Sequence, residues 1–192
     1  MKNLFITTLL LALFLSSCGE EMPVPKPPTY LRMDLPEHFY SFNTTACGFS
    51  MDLPKIFSVK STSGNTQGPC NLEIDLGPLN GTLYLFYFPL RESDTLSKFI
   101  NFSNDKVDDH KLKASAINDE KILRPQEKVF GTFFELQGDV ATNYQFYLTD
   151  SSSHFLRAEV LLNCRPNYDS LKPALDYLKV DLKKIVNTLK WK

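Results

Sequence analysis

Leu72-Glu73-Ile74-Asp75-Leu76, the link Gly77-Pro78-Leu79-Asn80-Gly81 and the run Thr82-Leu83-Tyr84-Leu85-Phe86-Tyr87-Phe88 decide the fold of this chain. The first run alternates apolar and acidic residues, the period-two signature of a strand with one buried face. The second is apolar on both faces, which predicts an inner strand covered from each side. Glycine, proline and asparagine in the link supply the dihedrals of a tight reversal, so the two runs predict an antiparallel hairpin.

Downstream, residues 129–136, 144–149 and 155–164 predict three more strands. In the last, Leu156, Ala158, Val160 and Leu162 share one face while Arg157 and Glu159 share the other. The turn Asp150-Ser151-Ser152-Ser153 makes a hairpin of the final two. Upstream, Phe49-Ser50-Met51-Asp52-Leu53-Pro54 and Phe57-Ser58-Val59-Lys60 predict short strands before a polar loop over 61–69. A helix over about residues 94–105 is predicted behind a Ser93 cap, with Leu96, Phe99 and Ile100 inward.

The clearest helix is predicted over 169–191. Leu171, Leu175, Leu178, Leu182, Ile185, Val186 and Leu189 recur at three- and four-residue steps and form one apolar stripe. Asp169 or Ser170 is the expected cap, Pro173 is expected in the first turn, and lysines are expected in the last turns. The expected architecture is α+β: an antiparallel β-sheet packed by a long C-terminal helix and a shorter middle helix, one domain over residues 37–192.

Ahead of that domain the sequence has other work. Lys2 precedes an apolar run over residues 4–15, the length of a signal-peptide core and too short to span a bilayer. Leu15-Ser16-Ser17-Cys18 then resembles the bacterial lipobox. Residues 1–17 are therefore expected to be a lipoprotein signal peptide and Cys18 the site of lipid attachment. Two or three acyl chains would tether the protein to a membrane without spanning it. Residues 18–36, with Pro23, Pro25, Pro27, Pro28 and Pro36, read as a stiff tether.

Export places Cys47, Cys70 and Cys164 in an oxidising compartment. Cys47 and Cys70 each stand where a strand is predicted to start, which favours a disulfide between them; three reduced thiols are the alternative. Cys164 is then expected free and buried at a strand end. The net charge is −1 and no segment is strongly basic, so nucleic acid is not an expected partner.

His38, His110 and His154 lack metal-ligand spacing, and His38 and His154 are expected to be solvated turn residues. Asp108-Asp109-His110 reads as a solvated charge run. The nucleophile elbow, the phosphate loop, Cys-x-x-Cys and His-Glu-x-x-His are all missing from the sequence. No catalytic residue, metal or cofactor is expected, and the protein is not expected to be an enzyme. In Arg165-Pro166-Asn167-Tyr168-Asp169-Ser170, turn and cap chemistry is the first reading, with Arg165 and Tyr168 as a contact patch the second.

The order of lipobox, Tyr30-Leu31-Arg32-Met33-Asp34-Leu35-Pro36, Cys47, Cys70, Phe146-Tyr147-Leu148-Thr149-Asp150-Ser151, Pro166-Asn167-Tyr168-Asp169-Ser170 and Thr188-Leu189-Lys190-Trp191-Lys192 resembles the gliding-motility lipoprotein GldD family of Bacteroidetes. Gly48-Phe49-Ser50-Met51-Asp52-Leu53-Pro54 and the order of elements also resemble the PsbP-type α/β/α sandwich, a likeness of fold alone. The GldD resemblance implies a non-enzymatic envelope component of the gliding and type IX secretion apparatus. Such a component would act in assembly or stability through contacts with other envelope proteins. The sequence leaves the membrane open: an outer-membrane anchor facing the periplasm is the first expectation and the periplasmic face of the inner membrane the second. The rival from another class is a lipid-anchored periplasmic small-ligand binding module, which requires a pocket lined by Phe and Tyr.

Overall fold

The structure, a computed structural model, describes residues 34–64, 69–91 and 95–192. Its strands are β1 (Tyr40–Thr44), β2 (Phe49–Pro54), β3 (Ser58–Gly64), β4 (Cys70–Asp75), β5 (Gly81–Pro89), β6 (Ala114–Arg124), β7 (Val129–Gly138), β8 (Tyr144–Thr149), β9 (His154–Leu162) and β10 (Lys190–Trp191). Helix α1 is Leu96–Asp108 and helix α2 is Tyr168–Thr188. The larger sheet has the order β3-β4-β5-β9-β8-β7-β6 and the smaller one β1-β2-β10. Every pairing is antiparallel.

The deciding hairpin is β4 and β5, with Leu72 opposite Leu85 and Ile74 opposite Leu83. In β4 the odd side chains Asn71 and Glu73 are exposed and Cys70, Leu72 and Ile74 are buried. Strand β5 lies inside the sheet, between β4 and β9. Its core face is sealed, but Tyr84 and Phe86 on the opposite face are only half covered. Strand β8 is the one buried along its whole length, Tyr144 to Thr149.

The two faces of the large sheet carry separate cores. On one, α2 and β2 press Leu175, Leu178, Leu182, Ile185, Phe49 and Met51 against Leu83, Leu85, Phe146, Leu156 and Ala158. On the other, α1 meets Phe134, Leu136, Tyr147 and Phe155, with Leu96, Phe99 and Ile100 as the inward side of the helix. Area bookkeeping assigns roughly 1.5–3 kcal/mol to each such buried aliphatic or aromatic side chain, so the first face carries most of the stability.

Several boundaries differ from the sequence-based expectations, each for a local reason. Helix α2 starts at Tyr168, and its cap is Asn167, whose side chain accepts from the Ser170 N–H. Neither Asp169 nor Ser170 caps it. Pro173 therefore lies past the first turn, where it removes one intrahelical bond to the Asp169 carbonyl. The helix stops at Thr188, so its last turn holds no lysine. Instead Arg124, at the end of β6, donates from one guanidinium nitrogen to the Val186 and Leu189 carbonyls at 3.0 Å each. A cation supplied by a neighbouring strand thus closes the helix C-terminus. Lys190 and Trp191 leave the helix and pair with Ser50 and Phe49.

Helix α1 begins at Leu96 behind Thr95, and Ser93 lies outside the described residues. Strands β6 and β3 are the edges of the large sheet. With one neighbour each and mostly exposed side chains, they carry too little apolar alternation to be predicted in full. Cys164 is exposed, not buried, because β9 ends two residues before it. The signal peptide, Cys18 and all but the end of the tether lie outside the described residues.

Candidate functional site

The α1 side of the large sheet is the face with polar and charged residues built into it. Arg157 of β9 is only 6% exposed. One of its terminal nitrogens donates to Gln145 Oε1 at 3.1 Å and to Glu159 Oε2 at 2.6 Å. Its guanidinium lies between Phe86 of β5 and Phe102 of α1, 5.6 and 5.8 Å from the ring centroids. Its Nε is buried with no hydrogen-bond partner. Gln145 in turn donates to Thr142 Oγ1 at 2.9 Å. Thr142 Oγ1 is also 2.9 Å from His110 Nε2, tying the network to the end of α1. Burial lowers the His110 pKa, against the opposing pull of Asp109 and Glu159.

Above this network α1 leaves a cleft of about 380 Å³ lined by Phe88, Lys98, Phe99, Phe102, Phe155 and Arg157. The volume falls in the range of small-molecule sites, and the lining has their usual make-up, apolar walls with a few polar groups. A second depression of about 390 Å³ lies beside it on the uncovered part of the sheet, bordered by Asn71, Glu73, Tyr84, Phe86 and Glu159. Phe102 is 52% exposed and stands between solvent and the arginine.

The other two histidines join ends of the chain. His38 Nδ1 is 2.7 Å from Asp181 Oδ1, and the Tyr40 hydroxyl donates to the same oxygen at 3.0 Å. Asp181 is fully buried on α2. Burial first, then Asp181, pushes the Tyr40 phenol up to about 12. The His38 ring stacks on Tyr177, whose hydroxyl donates to the Pro36 carbonyl at 2.8 Å. The end of the tether is thereby fixed to the middle of α2.

At another point of the fold, His154 Nδ1 and the Tyr87 hydroxyl are hydrogen-bonded at 2.8 Å, and the His154 ring stacks flat on Trp191. Gly48 closes over Tyr87 so tightly that a Cβ would strike its hydroxyl. Burial lowers the His154 pKa and raises that of Tyr87. Neither His38 nor His154 is the solvated residue expected from its turn-rich context.

Cys47 and Cys70, both fully buried, are joined by a disulfide with a Cα–Cα separation of 5.7 Å. It ties the β1–β2 loop to the start of β4. In the charge run, Asp108 pairs with Lys111 and Asp109 with Lys106, while His110 turns inward to Thr142. These residues do not converge, and among the described residues no group of three or more His, Cys, Asp and Glu side chains is placed to hold a metal ion. Arg165 is exposed in the β9–α2 connection. Tyr168 is half buried against the α2-side core, and its N–H is held by Asp139 Oδ1 at 2.8 Å. Arg165 precedes α2 and Tyr168 opens it, they are not hydrogen-bonded to each other, and neither lines the cleft.

The described domain is α+β, with two antiparallel sheets, one face sealed under α2 and a cleft open under α1. No described helix is long and apolar enough to cross a membrane. The chain belongs to the gliding motility lipoprotein GldD family, whose model matches residues 20–191. It is thus a gliding motility lipoprotein, a membrane-anchored protein of the cell envelope. No curated protein matches it in sequence. Among solved structures it is similar to cyanobacterial PsbP (CyanoP) from Synechocystis sp. PCC 6803, at 11% identity and a TM-score of 0.49. That similarity covers 86% of this chain and 100% of the other.

Proposed function

We propose that the protein is a non-enzymatic component of the gliding and type IX secretion apparatus, held at the membrane by lipid on Cys18. There it serves assembly or stability through protein–protein contacts. The observation that carries this reading is the family match over residues 20–191. The anchor sets where the domain stands, and the His38–Asp181 clamp fixes how the tether enters it. The outer membrane, facing the periplasm, is the proposed location, with the periplasmic face of the inner membrane as the alternative. Deletion of the gene should stop spreading on agar and impair secretion of type IX substrates. Wild-type chain should restore both and Cys18→Ala should not; normal spreading and secretion in the deletion would reject the reading.

The second reading, a lipid-anchored small-ligand binding module, draws support from the Phe-lined cleft between α1 and the sheet. Ligand occupancy and assembly are compatible, since the cleft uses one part of one face.

A further inference from the structure

Three properties of the α1 cleft specify a ligand class. The walls are the rings of Phe88, Phe99, Phe102 and Phe155, which take an apolar body of limited length in about 380 Å³. Two cations, Lys98 and Arg157, line it, and one carboxylate, Glu159, sits on Arg157 at 2.6 Å. Lys98 is exposed and pairs with no carboxylate among the described residues, so among them it is the cation of the cleft without a counter-charge. The third property is the Arg157 Nε, a buried donor without an acceptor in a side chain more than nine-tenths buried. An orphan N–H of a charged group normally costs free energy, and native structures rarely leave one unexplained. Here it lies under Phe102, a half-exposed ring whose rotation would open the guanidinium edge to the cleft.

We propose that this cleft binds a small amphipathic monocarboxylate. Its apolar body lies among the phenylalanine rings, and its carboxylate sits between the Lys98 ammonium and the Arg157 Nε–H. The inference rests on the ligand-module reading above and names its ligand class. Glu159 and Gln145 hold the guanidinium in place, so the arginine is preorganised for the acceptor it lacks. A neutral carbonyl ligand could accept from the Nε–H but would leave the Lys98 ammonium without an opposite charge.

The test is equilibrium dialysis of the full lipidated protein in phospholipid nanodiscs against radiolabelled 3-phenylpropionate, with protein-free nanodiscs as the blank. Saturable binding is expected, with 3-phenylpropanamide weaker by about tenfold, the factor for one charge-assisted hydrogen bond. Lys98→Glu, an exposed change that should not affect folding, should weaken the carboxylate by about tenfold and leave the amide unchanged. Val180→Glu, on the outer side of α2, should alter neither. If carboxylate and amide bind equally and Lys98→Glu has no effect, the anion site is overturned while the ligand-module reading stands. If neither compound binds saturably, both are overturned.

Discussion

The two faces of the seven-stranded sheet differ in kind. The face under α2 is packed almost wholly with aliphatic and aromatic side chains, its fully buried charge being Asp181, held by His38 and Tyr40 on the side of α2 that meets the end of the tether. The face under α1 is covered over part of its width, and inside it stand a buried arginine, a glutamine and a threonine. Buried polar groups rarely add stability over well-packed apolar ones. Under the reading proposed above, the α2 side holds the fold together and the α1 side serves recognition.

The largest effect should come from the sealed face. Leu182 is fully buried there, and Leu182→Ala should cost about 2–5 kcal/mol in urea unfolding, transfer and cavity terms together. A loss under about 1 kcal/mol would mean that this face is not the core that the packing describes. Next comes the disulfide. Replacing Cys47 and Cys70 together by Ala should lower stability by about 3 kcal/mol, since the bridge closes a loop with a sequence separation of 23. The same unfolding assay measures it, and an unchanged midpoint would contradict it.

A smaller effect should come from pH. Burial holds the His110 and His154 pKa values below the usual 6.5. Between those lowered values and 6.5 the unfolded chain binds protons that the folded chain does not, so stability rises with pH. The contribution is complete above pH 6.5 and is lost as pH falls through the folded values. Unfolding at pH 7.5 and pH 5.5 should therefore show a less stable protein at the lower pH, and His154→Gln should flatten that slope. An unchanged slope in His154→Gln would remove His154 from the account. Least of all, Lys98→Glu on the open face should change stability by no more than about 0.5 kcal/mol.

Much of the sealed face was legible in the sequence. Strand β4 alternates because one side meets the core, and α2 repeats at three and four because one stripe does. Local periodicity reports burial when a single face is buried. The strands it missed or cut short, β1, β3, β6 and β10, are edges or two-residue pairings whose order comes from neighbours distant in sequence. The helix boundaries shifted for a similar reason. Arg124 closes α2 from 62 residues away, and no local pattern contains that contact.

The open face was barely legible. Arg157 and Glu159 were placed on the side opposite Leu156 and Ala158, and that was right. What the arginine touches depends on cross-strand register, Arg157 opposite both Phe86 and Tyr147, and on the approach of α1. A signal did exist: an arginine inside an otherwise apolar strand must have partners. The partners themselves required the fold. Arg165, in the connection between β9 and α2, and Tyr168, the first residue of α2, were chosen for their place in a conspicuous turn and lie away from the cleft.

The most direct test of the division is spreading of the deletion strain carrying single-residue variants at matched protein levels. Lys98→Glu and Phe102→Glu on the open face should abolish or sharply reduce spreading, while Val180→Glu on the exposed side of α2 should spread like wild type. Normal spreading with both open-face variants, or loss with Val180→Glu alone, would contradict the assignment of recognition to the α1 side.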